Sequence, residues 1–343
     1  MYVNKKSLQK TIIKETSTIK DCVNSLNVSG LQIANVVNDA GELIGTITDG
    51  DIRRGLLNGL VLKSSIKKIL NKNPITSNTK ISVADAEKIL KKFEIIHLPI
   101  IKKKRVIELY YKGFSKSKIA KIDNKVIIMA GGYGKRLGKL TKNTPKGMLK
   151  LNGKPLLQHI IEGLKSEGFY EICISTYFKK EKIKKFFENG KKFGVKINYL
   201  EEKTPMGTIG SVSLLNNLKK PFFVINCDVI TDFNFQEMLK FHVSHKSFVT
   251  MAIKSYEFIN PYGVVNSKKN RFIGFREKPI MYFNINAGIY LFNPIIIKII
   301  RKNKLNSIID LFKYLKKHKK KVVTFSMYEN WVDYGLDKKN LKE

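Results

Sequence analysis

The chain has 343 residues, enough for two domains with separate cores, and its hydrophobic content of 43% is typical of a folded protein rather than a disordered one. No apolar run approaches the roughly 18 residues of a membrane span, and the N-terminus lacks a secretion signal, so we expect a cytoplasmic protein that does not bind membranes. The formal charge of +36 comes mainly from lysines spread over the whole chain, which argues for a solvated basic surface and against a nucleic-acid binder.

The first third of the chain is predicted to contain two copies of one unit of roughly 55 residues, which must pair to bury a core. In the first copy, Thr18 and Asp21 have the spacing of a capping box, and two strands joined by a turn at 39–41 should follow the helix. In the second copy, Ile75 is predicted to begin a strand, and Ser82 should cap a helix. The inward face of that helix is predicted to carry Val83, Ala86, Leu90 and Phe93.

A short polar segment in the first copy could hold a nucleotide. Residues 45–51 read GTITDGD, in which the Thr48 hydroxyl and the Asp51 carboxylate are spaced to reach a phosphate and a ribose. With this segment, residues 8–120 resemble a pair of CBS domains, which are small α+β modules. The resemblance implies one regulatory nucleotide per chain, on Thr48 and Asp51. The second copy lacks the Thr/Asp pair, so a module that only dimerises or docks remains the alternative.

Residues 114–125 are polar and lysine-rich and are predicted to form a linker, which divides the chain into domains 1–122 and 123–343. From Val126 onward, short apolar runs alternate with longer helical patterns, which predicts an α/β fold with a mostly parallel sheet. A helix is predicted to begin near Pro155 and to bury its apolar face. Strands are predicted at 126–130, 171–176, 196–200 and 221–228.

A glycine-rich loop follows the first strand of the second domain. Glycine lets backbone N–H groups approach a phosphate closely, and Arg136 and Lys146 would add positive charge where phosphoryl oxygens lie. The spacing is neither that of a Walker A loop nor that of the Rossmann dinucleotide motif, which indicates a different phosphate-binding loop. The loop residues predicted to bind the nucleotide are Ala130, Gly131, Gly132 and Gly134.

Seven motifs in the expected order make residues 125–340 resemble the sugar-1-phosphate nucleotidyltransferases. The resemblance implies a Rossmann-like fold, a nucleoside triphosphate and a sugar 1-phosphate as substrates, and Mg²⁺ as cofactor. The motifs are GGYGKRL (131–137) with TPK (144–146), PMGTIG (205–210), NCDV (226–229), PYG (261–263), EKP (277–279), NAGIY (286–290) and WVDYG (331–335).

The resemblance also implies a role for individual side chains. Arg136, Lys146 and Asp228 are predicted to be catalytic, and Asp228 and Asp333 to bind the metal. Gly207 and Thr208 would lie beneath the base. The predicted sugar-phosphate ligands are Gly263, Glu277, Lys278 and Asn286.

The two aspartates also have a physical case as metal ligands. Mg²⁺ on a triphosphate prefers one or two carboxylates plus phosphate oxygens and water, and ligands bind at strand ends in open α/β sheets. The alternatives are that Asp228 caps a helix and that Asp333 is a surface carboxylate. Cys227 replaces the family's glycine and adds bulk beside Asp228. No protein nucleophile is needed, because the sugar phosphate is already an anion.

The base is predicted to be guanine, so that GTP is the donor. Glu202 lies five residues before Gly207, where related uridylyl- and thymidylyltransferases commonly carry glutamine and mannose-1-phosphate guanylyltransferases carry glutamate. A carboxylate can accept from both guanine N1–H and the N2 amino group, but it does not suit a pyrimidine with one N–H between carbonyls. The alternatives are a solvated Glu202 and an enzyme specific for UTP or dTTP.

The sugar is predicted to be an aldohexose 1-phosphate. A CBS pair ahead of such a transferase resembles the glucosamine-1-phosphate guanylyltransferases of bacterial legionaminic acid synthesis, which serve flagellin glycosylation. The residues themselves do not choose between glucosamine, mannose and glucose. The competing class is a non-catalytic nucleotide-sensing or assembly subunit, which we would expect to have lost the Arg, Lys and Asp set. A homo-oligomer is expected.

Overall fold

The computed structural model describes residues 2–112, 121–336 and 341–342. The chain divides into two compact units, residues 1–118 and 119–343. Most of the predicted linker, residues 114–120, lies outside the described residues. Each unit buries hydrophobic clusters of its own.

The first unit combines short helices with two small sheets. Strands β1 and β2 are parallel, β2 and β3 are antiparallel, and β4 and β5 form a separate antiparallel pair. The strands are β1 (Ile12–Lys14), β2 (Ile33–Val37), β3 (Leu43–Thr48), β4 (His97–Lys102) and β5 (Arg105–Tyr111). The helices are α1 (Lys5–Gln9), α2 (Ile19–Ser29), α3 (Asp49–Leu57) and α4 (Val83–Lys92), with a 3₁₀ turn at Ile66–Lys68.

Side-chain caps begin the helices of this unit as predicted. The Asp21 backbone N–H donates to Thr18 Oγ1, and the Asp21 carboxylate accepts from the Thr18 backbone at 2.8 Å, which completes the capping box of α2. Ser82 caps α4 in the same position. The two copies meet at His97 of β4, whose buried ring stacks on Tyr111 and has Nε2 2.5 Å from the Leu31 carbonyl oxygen.

Two predictions for the second copy are wrong. No strand begins at Ile75; the chain there is irregular and makes a single bridge at Ser77, after Pro74, which has no N–H to donate to a ladder. Val83 and Phe93 are not on the buried face of α4, with 52% and 46% of their surfaces exposed, while Ala86 and Leu90 are buried. Val83 lies in the first turn and Phe93 is the C-cap with non-helical ψ, so both lie at the ends of α4, outside its buried part.

The second unit is built on a seven-stranded sheet of order β10-β9-β6-β11-β16-β13-β17, in which only β16 runs against its neighbours. This confirms the predicted α/β fold with a mostly parallel sheet. The strands are β6 (Val126–Met129), β7 (Lys150–Leu151), β8 (Lys154–Pro155), β9 (Glu171–Thr176), β10 (Lys196–Glu201), β11 (Phe222–Asn226), β12 (Val229–Thr231), β13 (Val249–Ile259), β14 (Val264–Lys268), β15 (Arg271–Arg276), β16 (Ile280–Phe292), β17 (Val322–Met327), β18 (Trp331–Asp333) and β19 (Leu341–Lys342).

Helices cover both faces of this sheet. Alternate residues of β6 point to opposite sides, so Ile128 packs with α5, α6 and α7 while Ile127 packs with α8 and α9. The apolar stripe of α5 predicted from the sequence is buried as expected. The helices are α5 (Leu156–Ser166), α6 (Lys180–Phe187), α7 (Phe235–His245), α8 (Ile295–Asn303) and α9 (Ile308–Lys317). The 3₁₀ segments are Lys135–Thr141, Lys146–Met148, Lys191–Phe193 and Gly210–Leu214.

Beyond the sheet, β13 and β16 continue as a two-stranded ribbon, because residues 255–259 of β13 pair with β16 alone. The hairpin β14–β15 lies between them in the chain. This extension carries the PYG and EKP motifs, whereas the glycine-rich loop and the NCDV motif follow strands β6 and β11 at one end of the sheet.

Candidate active site

A cavity of about 270 Å³ lies at the carboxyl ends of β6 and β11, and the glycine-rich loop forms part of its wall. Gly131, Gly132 and Gly134 line it, whereas Ala130 is buried beside the cavity, where its N–H donates to the Ser175 carbonyl oxygen at 3.0 Å. Gly134 has a φ of +65°, which an L-residue rarely adopts. This wall is the site that the sequence predicted for phosphate.

Two predicted cations border the cavity. The 3₁₀ segment after Gly134 presents the exposed side chain of Arg136 to it, and the next 3₁₀ turn presents Lys146. The Lys146 ammonium forms an ion pair with the carboxylate of Asp228, and both side chains are largely buried. The structure therefore brings together the three residues predicted to be catalytic.

Strand pairing places the second predicted carboxylate next to the first. Asp228 lies in the turn between β11 and β12, and β12 pairs with β18 so that Val229 faces Asp333. The Tyr334 N–H donates to the Asp228 carbonyl oxygen at 2.9 Å, and the Gly335 N–H donates to Asp333 Oδ1 at 2.7 Å. Burial, followed by the neighbouring charge of Asp228, raises the pKa of the Asp333 carboxyl. The alternatives of a helix cap and a surface carboxylate do not describe this pair.

The three charged groups converge over a residue without a side chain. A methyl group placed on Gly335 would lie 2.5 Å from Asp228 Oδ2 and 2.8 Å from Asp333 Oδ1, and it would also meet Lys146 Nζ. Two carboxylates that converge on one point fit Mg²⁺, which takes oxygen ligands and leaves positions for phosphate and water. In the described part of the chain, no group of three or more His, Cys, Asp or Glu residues could hold a metal without such outside ligands.

The Cys227 side chain packs into the hydrophobic core beneath the site. Burial raises the pKa of its thiol to about 12, so the thiol is neutral and inert at ordinary pH. The bulk that replaces the family's glycine is therefore accommodated by the core while Asp228 remains at the cavity wall.

The turn predicted to lie beneath the base closes another side of the cavity, where Gly207 and Thr208 line it. Its shape depends on Asn306, in the loop between α8 and α9. The Asn306 carbonyl oxygen accepts from the Thr208 N–H at 2.9 Å, and a methyl group on Gly207 would collide with that oxygen. In return, Thr208 Oγ1 accepts from the Ile308 N–H at 2.9 Å. No motif in the sequence identified Asn306, which lies about 100 residues away from the turn.

Glu202 is buried, so the alternative of a solvated side chain is wrong. Its Oε1 accepts from Ser175 Oγ at 2.6 Å, and its Oε2 accepts from the Met206 N–H at 2.8 Å. A methyl group on Gly131 would lie 2.6 Å from Oε1. The carboxylate therefore sits between the glycine-rich loop, the end of β9 and the base-side turn.

None of the four residues predicted to bind the sugar phosphate lines the 270 Å³ cavity. Gly263, Glu277 and Lys278 lie on the extension, whereas Asn286 lies on the part of β16 that belongs to the seven-stranded sheet. Gly263 faces Glu277, and a methyl group on Gly263 would lie 3.0 Å from Glu277 Oε2. Glu277 and Lys278 are exposed. On β16, Asn286 donates from Nδ2 to the Tyr290 hydroxyl at 2.6 Å and accepts from the Gly288 N–H at 3.0 Å.

Comparison with known proteins identifies two families along the chain. The family model for nucleotidyl transferases matches residues 125–339, which is more than half of the chain. The chain belongs to the nucleotidyl transferase family. The family model for the CBS domain matches residues 9–58, which cover the first of the two predicted copies.

Relatives of this nucleotidyl transferase include enzymes named for guanylyl transfer. Over 181 residues it is 38% identical to the mannose-1-phosphate guanylyltransferase catalytic subunit beta of Dictyostelium discoideum, covering 50% of each chain. Over 227 residues it is 34% identical to the mannose-1-phosphate guanyltransferase of Gibberella zeae, covering 62% of this chain and 61% of the relative. The chain thus spans about half to three-fifths of the length of these curated relatives.

Among solved structures, HddC from Yersinia pseudotuberculosis is 23% identical to this nucleotidyl transferase with a TM-score of 0.50. The match covers 63% of this chain and 95% of HddC, and it shows a shared fold. In the described residues, no helix is both long and apolar enough to cross a membrane.

In the CBS-like unit of this nucleotidyl transferase, the two residues predicted to bind a nucleotide, Thr48 and Asp51, form hydrogen bonds with each other. Thr48 donates from Oγ1 and from its backbone N–H to Asp51 Oδ2, at 2.7 and 2.8 Å, which caps α3. Asp51 also forms an ion pair with Arg54. Asp51 and Arg54 line an open cavity of about 690 Å³ together with Lys68.

Proposed function

We propose that the second unit transfers a GMP group from GTP to a hexose 1-phosphate and releases pyrophosphate. One observation carries the proposal: Arg136, Lys146 and Asp228 line one cavity with the glycine-rich loop, and Asp333 converges on the same point. Membership of the nucleotidyl transferase family supports it. The chain retains the full set of charges that a non-catalytic subunit would be free to lose.

The reaction is a substitution at phosphorus. An oxygen of the sugar phosphate attacks the α-phosphorus of the triphosphate, a new P–O bond forms, and the bond to the β-phosphate oxygen breaks to release pyrophosphate. Catalysis of this kind rests on positioning and on charge stabilisation. Backbone N–H groups of the loop orient the phosphates, and Arg136 and Lys146 stabilise the charge that develops on the oxygens. Lys146, now paired with Asp228, would exchange part of that ion pair for a phosphate oxygen.

We assign Asp228 and Asp333 as the residues that would hold Mg²⁺. Bound there, the ion would neutralise triphosphate charge and assist departure of pyrophosphate. The support is the convergence of the two carboxylates on one point over Gly335, beside the Lys146 ammonium. The raised pKa of Asp333 reflects two acidic groups that repel each other in a partly buried place, an arrangement that a divalent cation relieves.

We further propose guanine as the base, read by Glu202. The support is the buried position of its carboxylate beside Gly131 and the base-side turn. Two relatives named for guanylyl transfer to mannose 1-phosphate point the same way. UTP and dTTP are the alternative donors.

Two sugars compete as acceptor. The names of the relatives favour mannose 1-phosphate. The CBS domain ahead of the transferase favours glucosamine 1-phosphate, with a place in legionaminic acid synthesis and flagellin glycosylation. Glu277 could accept from a hydroxyl or an ammonium, and Lys278 could hold the phosphate of either sugar.

A release assay tests the proposal. The full chain is incubated with Mg²⁺, each of GTP, ATP, UTP and dTTP, and a panel of hexose 1-phosphates, and pyrophosphate is measured. We expect the highest kcat/KM with GTP and either mannose or glucosamine 1-phosphate. Higher kcat/KM with UTP or dTTP would refute the guanine assignment. No release with any pair would instead indicate a nucleotide-sensing or assembly subunit.

For the first unit we propose a regulatory role. A CBS pair over residues 1–122 would bind one nucleotide per chain at Thr48 and Asp51 and tune the transferase of residues 123–343. The open cavity beside Asp51, with Arg54 and Lys68 on its wall, supports binding of an anion. A homo-oligomer and a cytoplasmic location remain predictions.

A further inference from the structure

The carboxylate of Glu202 is held from two directions. The Ser175 hydroxyl, at the end of β9, donates to Oε1 at 2.6 Å, and the Met206 N–H, in the base-side turn, donates to Oε2 at 2.8 Å. The Glu202 N–H donates in turn to the Thr176 carbonyl oxygen at 3.0 Å, which fixes the backbone. Ser175 and Glu202 are both buried.

Donors on both oxygens fix the plane of a carboxylate, whereas a single donor leaves it free to rotate about its terminal bond. The plane matters for the proposed base. Guanine offers N1–H and an amino group side by side, and one carboxylate can accept from both only when its two oxygens face that edge. Each carboxylate oxygen can accept more than one hydrogen bond, so the contacts to Ser175 and Met206 leave capacity for the base.

We propose that Ser175 is a positioning residue for base selection. Its hydroxyl orients the Glu202 carboxylate so that the pair of guanine donors is favoured over the single N–H of a pyrimidine. The inference rests on the proposed role of Glu202 in reading guanine. It assigns to Ser175 no contact with substrate; its effect passes through Glu202.

The chain offers a matched control one residue away. Thr176 is buried like Ser175, but its Oγ1 has no hydrogen-bond partner among the described residues. Thr176→Val therefore removes a buried hydroxyl without removing a hydrogen bond, while Ser175→Ala removes the bond to Glu202. A general effect of losing a hydroxyl near the site would appear in both variants.

The experiment measures kcat/KM for GTP and for UTP in the full chain, with KM for the sugar 1-phosphate as a second readout. We expect Ser175→Ala to lower the GTP-to-UTP ratio about tenfold, because the loss of one hydrogen bond to a charged acceptor is of that order. KM for the sugar phosphate should not change. Thr176→Val should retain the wild-type ratio. Ser175→Cys keeps a weaker donor and should give an intermediate GTP-to-UTP ratio. If Ser175→Ala does not fold, the ratio in Ser175→Cys tests the inference instead.

A double-mutant cycle with Glu202→Gln separates this inference from the proposed function. We expect Glu202→Gln alone to lower the ratio and Ser175→Ala to add nothing in that background. The inference would be overturned if the GTP-to-UTP ratio of Ser175→Ala equalled that of the wild type while the ratio of Glu202→Gln was lowered. That result would leave guanine recognition by Glu202 in place. An equal fall in Thr176→Val would overturn it as well. A wild-type enzyme without preference for GTP, unaffected by Glu202→Gln, would overturn both.

Discussion

At the scale of single residues, the site consists of charges that compensate one another. Lys146 is paired with Asp228, and burial together with the nearby charge of Asp228 raises the pKa of the Asp333 carboxyl. Removing one member leaves a partly buried charge without its partner, which costs more than a surface ion pair contributes. Substitutions here should therefore alter both the chemistry and the local electrostatics.

Asp228→Asn should lower kcat by about a thousandfold, because the amide keeps the shape but loses the charge proposed to hold Mg²⁺. The side chains are nearly isosteric, so the circular dichroism spectrum should match wild type. Pyrophosphate release measures the rate. Asp123→Asn, at an exposed ion pair with Lys220, is the control and should retain full activity. A rate near wild type in Asp228→Asn would remove Asp228 from the proposed metal site.

His97 should make the first unit sensitive to acid. Burial lowers the pKa of its ring to about 4 from 6.5, so the folded chain keeps it neutral where the unfolded chain takes up a proton. Stability should therefore fall as pH drops from about 6.5 to about 4, by as much as roughly 3 kcal/mol. Hydrogen exchange of peptides from β2 and β4 in the full chain measures this.

His97→Gln is the matched variant, because its amide can donate to the Leu31 carbonyl oxygen without titrating. We expect exchange in its β2 and β4 peptides to change less over that pH range. The same pH dependence in both proteins would show that another group controls acid stability.

At the scale of elements, what could be predicted depended on how local the signal was. Thr18 with Asp21 and the apolar stripe after Pro155 predicted helix starts and faces, because capping and amphipathic periodicity are decided within a few residues. The prediction that a strand begins at Ile75 was wrong, because an apolar residue alone does not supply a neighbouring strand to pair with. Val83 and Phe93 fit the helical period but lie at the two ends of α4, whereas only Ala86 and Leu90, in the middle of the helix, are buried.

The same distinction explains the candidate site. Glycine positions and charges could be identified from their motifs, since each motif is contiguous. Ser175 and Asn306 could not, because each acts on a segment distant in sequence, with Ser175 reaching Glu202 and Asn306 reaching Thr208. Only the folded sheet shows which strand end meets which turn.

Arg301 near the end of α8 should stabilise the segment that follows the base-side turn. Its guanidinium donates to the carbonyl oxygens of Ser213 and Leu215 and to Asn216 Oδ1 at 2.7–3.1 Å. We expect Arg301→Ala to raise KM for the triphosphate about fivefold, because the segment that supports the base-side turn loses its anchor, while KM for the sugar phosphate is unchanged. Steady-state kinetics measure both values. The control is Lys298→Ala, at an exposed position of the same helix, which should behave as wild type. Equal changes of the two KM values in Arg301→Ala would contradict the proposed role of Arg301 as an anchor.

At the scale of the whole molecule, two units with separate cores imply separable functions. The transferase motifs all lie in residues 119–343, and in the described part of the chain the two larger buried clusters of that unit are formed by residues between Ile122 and Trp331. Removing residues 1–118 should therefore leave a folded protein with kcat within about threefold of the full chain. Loss of all turnover would show that the first unit completes the site.

If the first unit binds a regulatory nucleotide, calorimetry of the full chain with AMP, ATP, GTP and GDP should show one more equivalent than calorimetry of the 119–343 fragment. Asp51→Ala should abolish this difference. Because Asp51 also caps α3, the change should cost about 1 kcal/mol of stability in addition. Ser82→Ala removes a comparable cap from α4, outside the GTITDGD segment, and should leave binding intact. No difference in equivalents between the two proteins would leave the unit a structural role.

The convergence of three charged groups over Gly335 also bears on how such an enzyme can change over generations. Gly335 is not among the glycines with positive φ, so alanine is compatible with its backbone, and glycine and alanine codons differ by one nucleotide. Yet the added methyl would occupy the place where Lys146, Asp228 and Asp333 converge. A single base change could thus silence the chemistry while the fold, the nucleotide cavity and the first unit persist.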